Sequence, residues 1–253
     1  MTKTGLKKRV IPIILIDNYQ VVATRNFGDY RVLGNLEQTI EIFNRRNVDE
    51  IIILDISCSK NNSTLDNKIL KMMSKNTLMP FSYGGGIKSL NDIENCLTNG
   101  CDKVVINNSI KKNNEFLSKA TQEFGKQAIT VSVDYFRDKK NYFVYDHSSS
   151  KKTNINLYDY LKIINKIGCG EVVISSIDND GYLNGYDLGP LKKIRKIVDF
   201  PIITNGGCGN PKHMEKAFKI GSDACGAGSI FYYTKFSYKD IKNHKKKNKI
   251  KVR

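Results

Sequence analysis

A chain of 253 residues with 40% hydrophobic content suits one large α/β barrel or two small domains. No stretch approaches the roughly eighteen apolar residues of a membrane helix, and the basic start, MTKTGLKKRV, has no small-residue cleavage site, so neither a span nor a signal peptide is expected. The net charge of +16 comes from lysines spread along the chain, without any nucleic-acid motif, so it reads as solvated helix faces and nucleic acid is not an expected partner.

Eight short apolar runs follow in chain order: 10–16, 50–56, 79–83, 102–107, 128–134, 171–178, 200–204 and 223–229. Helix-like segments separate most of them, including Leu36–Arg46, Leu90–Asn99, Leu157–Ile167 and Pro211–Ile220. Eight βα units at this spacing predict a (β/α)₈ TIM barrel, with an open doubly wound sheet as the alternative. The barrel is expected over residues 1–240, with a frayed basic tail over 241–253, where seven of the last twelve residues are Lys or Arg.

The chain also repeats itself at an offset of 121 residues. Pro80 falls on Pro201, Gly85 and Gly86 on Gly206 and Gly207, Gly100 on Gly221, Asp102 on Asp223, and Glu50 on Glu171. A half-barrel duplication accounts for these coincidences.

Two glycine clusters, YGGGIKS (83–89) and NGGCGN (205–210), each follow an apolar run. In a barrel both lie at the C-terminal rim, where backbone N–H groups approach an anion closely. Gly85, Gly86, Gly206, Gly207, Gly228 and Ser229 are therefore candidate phosphate-binding residues, and a phosphorylated small molecule is the expected ligand. Two such clusters predict either two phosphate ends or one, with the second site vestigial.

Asp134 closes the run AITVSVD and is the leading acid–base candidate. Asp55 is ambiguous between mouth and buried support, and Asp178 and Asp180 fit either the mouth or a polar turn ending at Gly181. Asp17 ends the first run, but Leu15 stands two residues earlier. At the opposite strand ends Arg9, Glu50, Lys103 and Glu171 form a candidate ring around the barrel axis, which read from the residues alone is a salt-bridged floor. His147 has no evident partner. The six cysteines form no CxxC pair and only three histidines occur, so no metal site is supported; free thiols suit a reducing, cytoplasmic setting.

The stretches VDEIIILDIS, PFSYGGGIKS, DKVVIN, GCGEVVISSIDNDGYLNGYD, PIITNGGCGN and GSIF resemble, in order, the cyclase subunit of imidazole glycerol phosphate synthase, the HisF family. The resemblance runs from about Lys7 to about Asp240. It implies a barrel that pairs with a HisH-type glutaminase and needs no cofactor or metal. Ammonia would enter through a charged gate at Arg9, Glu50, Lys103 and Glu171, and Asn107 and Asp180 would join the substrate site. Of the family's two catalytic aspartates, Asp134 matches one. Alignment on Arg9, Pro12 and Val21–Val22 puts Leu15 at the other, with Asp17 the outside candidate. A substrate-binding lysine of the family falls on Ala23. Leu15, with the YGGGIK run and the ending GAGSIF, resembles a divergent branch associated with glycosyl amidation, in which a sugar amidotransferase is a candidate second partner. An authentic cyclase of histidine biosynthesis, turning ammonia and PRFAR into imidazole glycerol phosphate and AICAR, is the alternative.

Overall fold

The computed structural model describes residues 7–61, 63–146, 151–247 and 253. His147 lies outside them. The first half runs β1 (Arg9–Asp17), β2 (Gln20–Thr24), β3 (Tyr30–Asn35), α1 (Leu36–Arg45), β4 (Ile51–Asp55), α2 (Ser57–Lys60), α3 (Asn67–Asn76), β5 (Phe81–Gly84), α4 (Leu90–Thr98), β6 (Lys103–Ile106), α5 (Asn108–Lys112) and α6 (Asn114–Phe124). The second runs β7 (Ile129–Asp138), β8 (Asn141–Asp146), β9 (Lys151–Asn156), α7 (Leu157–Ile167), β10 (Glu171–Ser176), α8 (Leu191–Ile197), β11 (Ile202–Asn205), α9 (Pro211–Ile220), β12 (Ala224–Ala227), α10 (Ile230–Tyr233) and α11 (Tyr238–Lys247).

Strands β1, β4, β5, β6, β7, β10, β11 and β12 pair in parallel, and β12 returns to β1, so the sheet closes into a (β/α)₈ barrel. Side-chain alternation then divides each strand between two cores. Ile11 and Ile13 point to the axis, where they meet Ile52, Val105, Val173 and Ile203. Val10, Ile14 and Ile16 point outward to the helices. The helices answer with one apolar stripe each. In α1 that stripe is Leu36, Ile40 and Phe43, and Asn35 caps the helix by accepting the Glu37 and Gln38 N–H groups. Each fully buried side chain of this kind contributes about 1.5–3 kcal/mol.

The duplication is visible in the hydrogen bonds. Phe81 N–H donates to Asp102 Oδ2 at 3.0 Å, and Ile202 N–H donates to Asp223 Oδ2 at 3.0 Å, 121 residues on. Ile51 N–H reaches Pro80 O at 3.1 Å, and Val172 N–H reaches Pro201 O at 3.0 Å. Both halves also extend their first strand past the barrel as an antiparallel ribbon, β1–β2–β3 and β7–β8–β9.

The expected boundary at 240 falls inside α11, which does not begin as a frayed tail. Tyr238 and Ile241 are buried, Tyr238 OH donates to Val10 O at 3.1 Å, and Lys242 holds the Asp49 carboxylate at 2.9 and 3.0 Å. Among the described residues no helix is long and apolar enough to cross a membrane.

Asp102 and Asp223 each hold the start of a neighbouring strand, but Asp223 also takes an Arg195 ion pair at 2.7 Å. Asp102→Asn should therefore cost about 1–2 kcal/mol and Asp223→Asn more, about 3 kcal/mol, read as shifts in the urea midpoint at constant m.

Candidate active site at the barrel mouth

A cavity of about 720 Å³ opens at the C-terminal ends of the strands. Its interior layer is set by register. Leu15 pairs with Leu54 between β1 and β4, and Asp134 pairs with Ser175 between β7 and β10. Leu54 and Ser175 are themselves 121 residues apart, so Leu15 and Asp134 occupy matching places in the two halves. Both line the cavity. Asp17 does not line it. It pairs with Gln20 across a two-residue hairpin turn, Asn18-Tyr19, and accepts the Asn18 side-chain amide at 2.8 Å.

Asp134 is buried, and Asn107 Nδ2 donates to its Oδ2 at 2.5 Å. Ser175 and Asn205 complete this polar side, joined by an Asn205 Nδ2 to Ser175 Oγ bond of 3.1 Å. Neither stood out in the sequence. The repeat was the signal that could have found Ser175, because the same offset leads to it from Leu54.

The glycine clusters flank this layer. A Cβ on Gly85 would lie 2.4 Å from Asp55 O, and one on Gly206 would lie 2.6 Å from Ser176 O, the equivalent carbonyl. Both glycines have positive φ, +124° and +93°, so no other residue lets the loops approach the strands in this way. Gly86, Gly207, Gly228, Ser229 and Asn107 also line the cavity. Asp180 lies on its rim, where Oδ2 accepts from Thr24 Oγ1 at 2.5 Å and from Phe27 N–H at 3.4 Å. Asp178 lines no part of the cavity and takes the Arg137 N–H at 2.7 Å. Asp55 borders the cavity, yet its carboxylate is committed to Ser57, Cys58 and Tyr83 donors. It acts as buried support.

At the other end the four ring residues meet. Arg9 donates to Glu50 at 3.0 and 3.2 Å and to Glu171 at 2.6 Å, and Lys103 donates to Glu171 at 2.6 Å. Burial pushes the Glu50 carboxyl above its ordinary range, and Arg9 only partly offsets this. Burial acts upward on Glu171 too, but the Arg9 and Lys103 charges together outweigh it and hold that carboxyl below its ordinary range.

The family model described as "Histidine biosynthesis protein" matches residues 9–237. A Campylobacter jejuni protein with the provisional name imidazole glycerol phosphate synthase subunit hisF2 is 39% identical over 94% of each chain. The chain belongs to the HisF family. Imidazole glycerol phosphate synthase subunit HisF of Flavobacterium johnsoniae is 35% identical over 98% of this chain and 99% of its own, and that of Clostridium botulinum (strain Kyoto / Type A2) is 33% identical over the same shares. Every ring and mouth residue described above falls within the span that matches the HisF family.

The opposite shifts of the two ring carboxylates predict opposite pH effects. Glu171 contributes stability that is present above about pH 4.3 and lost as pH falls toward its lowered native value. Glu171→Gln should remove that part of the acid slope and cost about 3–5 kcal/mol at neutral pH. Glu50, with its raised native value, gains stability on protonation. Glu50→Gln should therefore steepen the acid loss. Urea midpoints between pH 3 and 8 check both.

Proposed function

We propose that this chain is the synthase-side barrel of a glutamine amidotransferase complex, that it receives ammonia from a HisH-type glutaminase at the ring, and that it has lost complete cyclase activity. The relatives from Flavobacterium and Clostridium are named as subunits of imidazole glycerol phosphate synthase, which supports a partnered barrel. The ring supports the entry point: its four ion-paired groups surround the axis, and the interior beyond them is lined by Ile11, Ile13, Ile52, Val105, Val173 and Ile203. Neutral ammonia crosses such a lining far more cheaply than an ion.

The observation that carries the loss of cyclase activity is Leu15. It faces the mouth at the place equivalent to that of Asp134 in the other half, where the resemblance implies the second catalytic aspartate. Leucine moves no proton. Ala23, also lining the mouth, removes a cation from the substrate site. In this proposal ammonia leaves through the mouth to a separate acceptor enzyme, a sugar amidotransferase of surface-polysaccharide synthesis, in the cytoplasm. Asp134 with its Asn107 donor, and the paired glycine cradles, favour a second reading in which ligand binding and cyclase chemistry both persist with another group as the acid.

The test supplies ammonia and the open-chain bisphosphate PRFAR to the purified chain. No turnover is expected. Leu15→Asp alone should restore it weakly, and Leu15→Asp with Ala23→Lys should raise it by about 10²-fold or more. Turnover by the unmodified chain, abolished by Asp17→Asn, would establish the second reading instead.

A further inference from the structure

The charge of +16, read from the sequence as dispersed, is concentrated once the chain is folded. Residues 190–253 hold 16 of the 41 Lys and Arg but 4 of the 25 Asp and Glu, so +12 of the +16 falls on them. The described ones build one flank of the barrel, where α9 packs between α8 and α11. That flank exposes Lys192 and Lys196 of α8, Lys212 and Lys216 of α9, and Lys239 of α11. Of its four acids, Asp223 is buried against Arg195 at 2.7 Å and Glu215 holds Lys219 at 2.6 Å, which leaves Asp199 and Asp240 exposed. On the opposite side, α4 follows β5, four strands round the barrel from β11, and carries Asp92 and Glu94 with no cation.

We propose that the flank formed by α8, α9 and α11 is a docking surface for an anionic lipid bilayer. The exposed cations are lysines spread over three helices. The arginine of α8, Arg195, is spent on Asp223 and on the Val198 and Phe200 carbonyls. A lysine ammonium is a point charge on a flexible stem, which suits the diffuse field of a lipid surface, whereas phosphates and base edges of a nucleic acid are gripped best by the bidentate fork of arginine. Docking on a flank lays the barrel on its side. The ring at one end and the mouth at the other then both stay open to solution, so the surface is separate from the chemistry of either end.

Cosedimentation of the full chain with lipid vesicles tests this. Vesicles of phosphatidylglycerol and phosphatidylcholine in equal parts should hold the protein at about 0.1 M salt and release it at about 0.5 M, and vesicles of phosphatidylcholine alone should not hold it. Lys192→Gln, Lys196→Gln, Lys212→Gln and Lys216→Gln combined should weaken partitioning by about 10²-fold or more. Removing as many charges elsewhere, with Lys68→Gln, Lys71→Gln, Lys75→Gln and Lys119→Gln combined, should weaken it by less than about threefold, because those lysines lie beyond the screening distance of the docked surface. Unchanged melting curves would show both variants folded, and neither variant touches the mouth or the ring. Failure of the unmodified chain to sediment with the anionic vesicles would overturn the proposal, as would equal losses in the two variants, which would leave only an effect of net charge. Retention of a labelled single-stranded RNA through the four flank lysines, without sedimentation on the vesicles, would overturn it in favour of nucleic acid.

Discussion

The register of β1 in the closed barrel fixes what the mouth can do. Side chains alternate along a strand, so Leu15 and Asp17 share a face by parity and alternation alone cannot choose between them. Closure chooses. Arg9 to Pro12 are paired to β12, and Ile13 to Ile16 are paired to β4, which leaves no room for a two-residue slip. The turn residues Asn18 and Tyr19, with φ of 48° and 68°, form the tight connection that carries Asp17 into the hairpin beyond the barrel. That Leu15 and not Asp17 faces the mouth is thus a property of the sheet as a whole, not of one side chain.

The duplicated halves show how one backbone acquires two chemistries. Leu15, Leu54 and Gly84 on one side face Asp134, Ser175 and Asn205 on the other. In this layer one half is apolar, and the other carries the proton-bearing groups. The ring repeats the lesson with identical residues. Glu50 and Glu171 are equivalent by the repeat, yet Glu171 has two cationic partners where Glu50 has one. Partner number, not burial, separates their behaviour, since burial pushes both the same way.

Much of the fold was legible because its barrel strands are apolar runs buried on both faces, a pattern little affected by tertiary context. The repeat was legible through Pro and Gly, whose backbone constraints survive divergence better than side-chain chemistry does. The ribbons β2–β3 and β8–β9 were not, since half-exposed stretches such as YRVLGN and NYFVYD carry no clean period. The start of α11 was hidden by its lysines, because the apolar anchors Tyr238 and Ile241 are too few to set a pattern. In the site, Asp134 announced itself as a lone acid after an apolar run. Asn205 and Ser175 did not, because small polar residues at strand ends are common and only the barrel register brings them beside Asp134.

The role proposed for this barrel is to accept ammonia without completing the cyclase reaction. Glutamine labelled with ¹⁵N at the side-chain amide, supplied to the chain with a HisH-type glutaminase and the bisphosphate PRFAR, tests it most directly. Stimulated glutamine hydrolysis is expected, with the label recovered as free ammonia and none in an imidazole ring. Label appearing in imidazole glycerol phosphate in step with hydrolysis would contradict it.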